Sequence, residues 1–241
     1  MHEAGNFADF SADAFVSLIT DFREAGYRFC SFGNFEPEKC VVLRHDVDFS
    51  PADAVQMAGI ERELGVSATY FILLTSAFYN PVAPQTKAHI AEIVASGASL
   101  GLHFDPSIYD DYEEGFERER RIFEDAFGER IEIVSLHRPR DFLDDNNRRL
   151  AGVRHTYEDE FFKGLKYFAD SGGSFAYGHP LDSDEFREGK SLHLNLHPIW
   201  WTREGIGPSD KLRSWERMQF QAINDEVGRN CKTFDGRPFW E

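Results

Sequence analysis

Two carboxylates, Asp46 and Asp48, close the apolar run Val41-Val42-Leu43-Arg44-His45-Asp46-Val47-Asp48. Successive side chains of an extended chain point to opposite faces, so these two acids share one side. Two buried like charges that close repel each other unless a cation lies between them or one holds a proton. Later apolar stretches end in the same way: His103 and Asp105, then His137 and Arg138, then Asp170, then His197. Acids and imidazoles brought together suit a divalent ion with mixed nitrogen and oxygen ligands, zinc first, with iron, nickel or cobalt as alternatives. Such an ion activates water near neutral pH and polarises a carbonyl, which is the chemistry of hydrolysis.

These residues must be positioned by the elements that precede them. Val41 to Asp48 reads as a buried strand, and Ser50-Pro51 as the cap and first turn of a helix that stops at Gly65. Phe7, Phe10, Phe15, Leu18, Ile19 and Phe22 have helical spacing ahead of Gly26. Further strands are expected over 68–74, 99–103, 131–136, 165–169 and 191–196. Helices are expected over 86–96, 110–127 and 208–227. Strands alternating with helices argue for a parallel sheet with helical crossovers. The expected fold is a distorted (β/α) barrel with a mostly parallel sheet, with a doubly wound open sheet as the alternative. In a barrel the carboxyl ends of all strands share one face, where the polar strand ends would converge.

The chain has 241 residues, 41 % hydrophobic, and carries a net charge of −16. That length suits one α/β domain over residues 1–241. The negative charge argues against nucleic acid or an anionic membrane as a partner. No apolar stretch is long enough to span a membrane, and no signal peptide is expected from the N-terminal residues. Cys30, Cys40 and Cys231 are odd in number and widely spaced, which suggests no disulfide framework and a reducing, cytoplasmic setting.

The segments Arg44-His45-Asp46-Val47-Asp48, Gly101-Leu102-His103-Phe104-Asp105, Leu136-His137-Arg138-Pro139, Phe168-Ala169-Asp170-Ser171-Gly172-Gly173 and Leu194-Asn195-Leu196-His197-Pro198 follow one another in the order of motifs of the polysaccharide deacetylase family. The chain resembles that family over roughly residues 40 to 200, and resembles most its divergent branch from surface-polysaccharide loci. The resemblance implies a distorted barrel, one divalent metal and removal of acetyl groups from N-acetylated sugars. It implies Asp46 as base, Asp48 and His103 as metal ligands, Asp170 orienting His197, and His197 as acid. The family's two acids are adjacent, whereas Val47 separates them here. Its second motif has a further histidine where this chain has Ser107, so Asp105 or His137 is the expected third ligand, His137 first. Arg138, with His137 beside it, lies where the family carries an arginine that pairs with the base.

Other polar residues have plainer readings. His193 shares the phase of His197 along its strand, and the strand-end position favours His197. His45, His89, His155 and His179 have weaker claims. Trp200-Trp201 are core residues or, if exposed, a sugar platform. Arg118, Arg120 and Arg121 lie among glutamates on a solvated helix. The expected activity is metal-dependent hydrolysis of an amide of an N-acetylated saccharide. The alternatives are a saccharide-binding relic without catalysis and a hydrolase of a cyclic amide or ureide.

Overall fold

The structure is a computed structural model that describes residues 10–36, 38–145 and 148–236. Phe7 of the N-terminal helical pattern lies outside the described residues. Eight strands form the sheet: β1 (Arg28–Cys30), β2 (Cys40–Val47), β3 (Thr69–Ile72), β4 (Ser99–Phe104), β5 (Ile133–Leu136), β6 (Arg154–His155), β7 (Lys166–Ala169) and β8 (Leu192–Leu196). The helices are α1 (Ala12–Glu24), α2 (Pro51–Leu64), α3 (Pro84–Ala95), α4 (Tyr112–Phe127), α5 (Arg140–Asp145), α6 (Asp159–Phe162), α7 (Asp184–Arg187), α8 (Pro198–Thr202) and α9 (Pro208–Asn230).

The strands run in the order β6-β5-β4-β3-β2-β8-β7, with β1 beside the start of β2, and every ladder between them is parallel. The sheet curls into a distorted half-barrel. Tyr157, just after β6, and Tyr167 of β7 come from opposite ends of the strand path, yet their rings lie 6.2 Å apart.

All eight residues of β2 are buried. One phase, Val41, Leu43 and Val47, joins the apolar layer between sheet and helices, with Phe15, Phe22, Met57 and Trp201. The other phase faces the barrel interior, which is plugged at its lower end by Phe32, Val42, Phe71, Ile133 and Phe161. Above that plug the interior turns polar. Gly101 is required in this lower layer, because a Cβ there would collide with the Phe71 ring.

Local signals account for the frame around β2. Ser50 Oγ accepts from the Asp53 N–H at 3.3 Å, Pro51 opens α2, and Gly65 closes it at φ +66. His45, on the outer face, has Nδ1 against the Leu196 carbonyl at 3.1 Å and Nε2 against Glu61 at 2.6 Å. The Tyr70 hydroxyl donates to the second Glu61 oxygen at 2.7 Å. This buried network pins β2 to α2, β3 and β8.

One expectation is corrected. Cys30 and Cys40 are joined as a disulfide, with Cα atoms 6.1 Å apart, inside the range a disulfide can span. The parallel pairing of β1 with β2 creates that proximity, which cysteine spacing alone does not show. Of the two readings of Trp200 and Trp201, the core reading holds: they are 4 % and 3 % exposed. No helix among the described residues is long and apolar enough to cross a membrane.

Candidate metal and catalytic site

The inward phase of β2 carries Arg44, Asp46 and, just past its end, Asp48. Neighbouring strands supply the rest: His103 from β4, His137 just after β5, Asn195 from β8, and Asp170 and His197 just after β7 and β8. Parallel pairing aligns the strand ends, so residues up to 149 positions apart in the chain meet across hydrogen-bond distances.

Asp48, His103 and His137 each offer a ligand atom, and these atoms lie within 4.8 Å of one another. His103 Nε2 stands 3.2 Å from Asp48 Oδ1. The far nitrogens are held from behind. His103 Nδ1 faces the Ser135 carbonyl at 3.3 Å, and His137 Nδ1 faces Asp105 at 3.0 Å. Such outer contacts fix the tautomer and leave Nε2 free to bind a metal. Asp105 is itself held by the N–H of Ser107 at 3.0 Å. Asp105 therefore buttresses His137, and His137 is the third member of the cluster. Asp48 Oδ1 is buried, with His103 Nε2 as its close neighbour. Two imidazole nitrogens and a buried carboxylate oxygen fit a divalent ion with an open coordination position.

Beside the cluster lie two further ionisable groups, Asp46 and His197, in different surroundings. Asp46 Oδ2 accepts from Asn195 Nδ2 at 3.0 Å and from Arg44 Nη2 at 3.3 Å. Burial opposes its ionisation, but Arg44, then His103 and His197, outweigh burial and hold the carboxyl below its ordinary range. Arg44 is fully buried and its guanidinium lies over the rings of Tyr157, Tyr167 and Phe71. Burial works against its charge, and Asp46 beside it restores that charge.

Asp170 is fully buried and accepts four times: from the His197 N–H to both oxygens at 3.0 and 3.1 Å, from Nδ1 at 2.6 Å, and from Trp201 Nε1 at 2.7 Å. His197 is thereby turned with Nε2 toward Asp48, 3.7 Å away. Burial alone lowers an imidazole, but Asp170, then Asp48 and Asp46, raise His197 to about 9. Asp48 is likewise held well below its ordinary range, against burial, by its bond to His103 and the charges of His103, His197 and His137.

A cavity of about 400 Å³ opens over Asp46, Asp48, His103 and His197, with Phe49, Leu136, Tyr157 and Trp200 among its walls. Seven residues singled out by the sequence, Asp46, Asp48, His103, His137, Arg138, Asp170 and His197, thus meet around one cleft. Arg138 does not reach Asp46; its contact is Asp105, at 3.7 Å. The cation against Asp46 is Arg44, which the motif pattern does not single out. A signal for it exists, since Arg44 shares the phase of Asp46 two residues later. Asn195 escapes sequence reasoning for a similar reason: it lies two residues before His197, on the same side. His193, lower on that phase, is buried beside Arg44 and pushed down to about 3 by burial first and by that charge second.

Fold and site together define a curled parallel α/β barrel with an Asp-His-His cluster and a buried Asp–His pair at its carboxyl end. No family model and no curated protein sequence matches the chain. Several solved structures are similar. IcaB from Ammonifex degensii matches at 17 % identity and TM-score 0.40, over 52 % of this chain and 66 % of that one, just under two thirds of its length. The peptidoglycan deacetylase PdaC from Bacillus subtilis, in a mutant form, matches at 12 % identity and TM-score 0.45, over 85 % and 98 %. BA3943 from Bacillus anthracis, described as a CE4 family pseudoenzyme, matches at 14 % identity and TM-score 0.39, over 76 % and 63 %.

Proposed function

We propose that this chain is a metal-dependent amide hydrolase that removes the acetyl group from an N-acetylated sugar. The observation that carries the reading is the juxtaposition of an oriented Asp-His-His cluster with an ionised Asp46 and an Asp170-held His197. The order of the five sequence motifs points to the same family of reactions.

Asp48, His103 and His137 would hold one divalent ion, zinc first among the candidates. Bound there, the ion supplies Lewis-acid polarisation and lowers the pKa of water toward neutrality. The remaining work belongs to the chain. Asp46, kept ionised by Arg44, accepts the proton of the attacking water. Asn195 fixes the carboxylate by donating to the oxygen that Arg44 also holds. Asp170 accepts from Nδ1 of His197 and stabilises the imidazolium. His197 is then protonated near neutral pH and gives its Nε2 proton to the amine nitrogen as the C–N bond breaks. Splitting acid and base between two groups whose surroundings push them apart is how hydrolases run both chemistries at one pH.

The test is acetate release from N-acetylated oligosaccharides, with elemental analysis of the same preparations. Wild type is expected to hold about one divalent ion and release acetate. Asp48→Ala, His103→Ala and His137→Ala are each expected to lose the ion and the activity. Asp46→Asn is expected to keep the ion and lose roughly 10² to 10⁴ in rate, the usual contribution of a general base. Full metal occupancy in all three ligand variants refutes the ligand assignment. A metal-loaded wild type that binds oligosaccharides and releases no acetate refutes hydrolysis and leaves a binding protein.

A further inference from the structure

We propose, building on that reading, that the sugar carries an anionic group and that Arg138, at the mouth of the cleft, holds it. Arg138 follows His137 directly and takes φ +51, a left-handed conformation that non-glycine residues rarely adopt. Strained backbone of this kind persists where surroundings impose it, and it concentrates at functional sites. Here the His137 N–H donates to the Phe104 carbonyl at 2.8 Å, and Pro139 follows. The Arg138 side chain lines the cavity over the metal cluster, yet is 68 % exposed.

The ion-pair contact of Arg138 among the described residues is Asp105 at 3.7 Å, and Asp105 is already served by His137 and Ser107. At 3.7 Å the pair is longer than a hydrogen bond, and its arginine end is exposed while Asp105 is buried. The other carboxylates have partners of their own: Asp46 has Arg44, Asp48 has His103, and Asp170 has His197 and Trp201. The arginine is thus a largely exposed guanidinium at the rim of the cleft, with its fork open to a further partner. A guanidinium fork matches the paired oxygens of a carboxylate or a phosphate. Ser171 and Gly172 line the same cavity and leave room for further polar contacts to such a group.

The experiment is a calorimetric titration of the full chain at low salt with three sugars: N-acetylglucosamine, N-acetylmuramic acid and N-acetylglucosamine 6-phosphate. One or both anionic sugars are expected to bind about tenfold more tightly than the neutral one, the scale of one charge-assisted contact. Which of the two is preferred tells carboxylate from phosphate. Arg138→Gln is expected to bring the ratio to about one, with metal content unchanged, and Arg138→Lys to retain part of it. Arg118→Gln, on the exposed surface of α4, is the control for general charge and is expected to keep the full ratio. Equal affinities in wild type, a ratio that survives in Arg138→Gln, or no binding of any of the three overturns the proposal. A preference that tracks Arg138 in a protein that releases no acetate keeps this inference and refutes the deacetylase reading; acetate release without the preference does the reverse.

Discussion

Replacing Arg44 with Met isolates the pairing that strand patterning alone does not reveal. The side chain is fully buried, so the substitution keeps an unbranched apolar stem and removes only the charged head. Asp46 is then left buried with no cation from its own strand. Breaking a buried pair by removing one partner costs about 3 to 5 kcal/mol, because the charge left behind is uncompensated. Domains of this kind are stable by about 5 to 15 kcal/mol, so the loss is a large share. At roughly 2 to 4 °C per kcal/mol for a chain of this size, the midpoint of thermal unfolding should fall by roughly 10 °C. Without Arg44, burial favours the protonated carboxyl and raises the Asp46 pKa above its unfolded value. A raised carboxyl pKa stabilises the fold at low pH and destabilises it as pH rises through that value. The deficit against wild type should therefore be greater at about pH 8 than at about pH 5. Thermal unfolding of wild type, Arg44→Met, Asp46→Asn and the double variant makes the assay complete. The double variant removes both charges and should lose clearly less than the two single losses added together. Additive losses, or a deficit in Arg44→Met below about 1 kcal/mol, refute the argument that the two charges form a buried pair.

Asp170→Asn should retain metal and lower turnover less than His197→Ala does, because the imidazole is still present but loses the carboxylate that orients it; steady-state rates beside metal content check this. In Asp170→Asn the His197 pKa falls from about 9, so the alkaline limb of the rate profile should move to lower pH. Glu119, buried on α4 with Oε1 bonded to the Tyr109 hydroxyl, is raised from 4.5 to about 7, chiefly by burial. A raised carboxyl favours the protonated fold, so wild-type stability should decline between about pH 4.5 and 7, by on the order of 3 kcal/mol at most. Glu119→Gln should flatten that decline in a denaturant series, and an unchanged slope would disprove the assignment.

What the sequence discloses follows from locality. Alternation along a strand is a local property, so the spacing alone puts Asp46 and Asp48 on one side. Strand ends in a parallel barrel share a face by topology, so His103, His137, Asp170 and His197 are expected to converge. Orientation is another matter. Whether His137 or Asp105 completes the cluster depends on side-chain rotation, and the Nδ1 contact to Asp105 settles the geometry only in three dimensions. Strands β1 and β6, three and two residues long, carry too little pattern to be read, and the Cys30–Cys40 pairing depends on the first of them. Arg44 is easily overlooked because a lone cation inside an apolar run looks like an interruption. Its phase, shared with Asp46, is the clue.

The arrangement of β2 explains how such a charged strand stays buried. Its inner face carries Arg44, Asp46 and the start of the Asp-His-His cluster, whereas its outer face carries His45 between Val47 and Leu43. A one-residue slip would exchange the two faces and move both acids away from the cleft. The outer network resists that slip: His45 contacts the carbonyl of Leu196, the residue just before His197, and also Glu61, which Tyr70 of β3 holds in turn. The same strand is therefore clamped to both neighbours at the level of Asp46 and His197. Polar groups buried in this way cost desolvation and recover it only when satisfied. The bonds behind the sheet thus hold a register that an apolar residue at 45 could not. The register of β2 against β8, with His45 paired to Leu196, brings Asp46 and His197 to the same level on adjacent strands, side by side at the cleft.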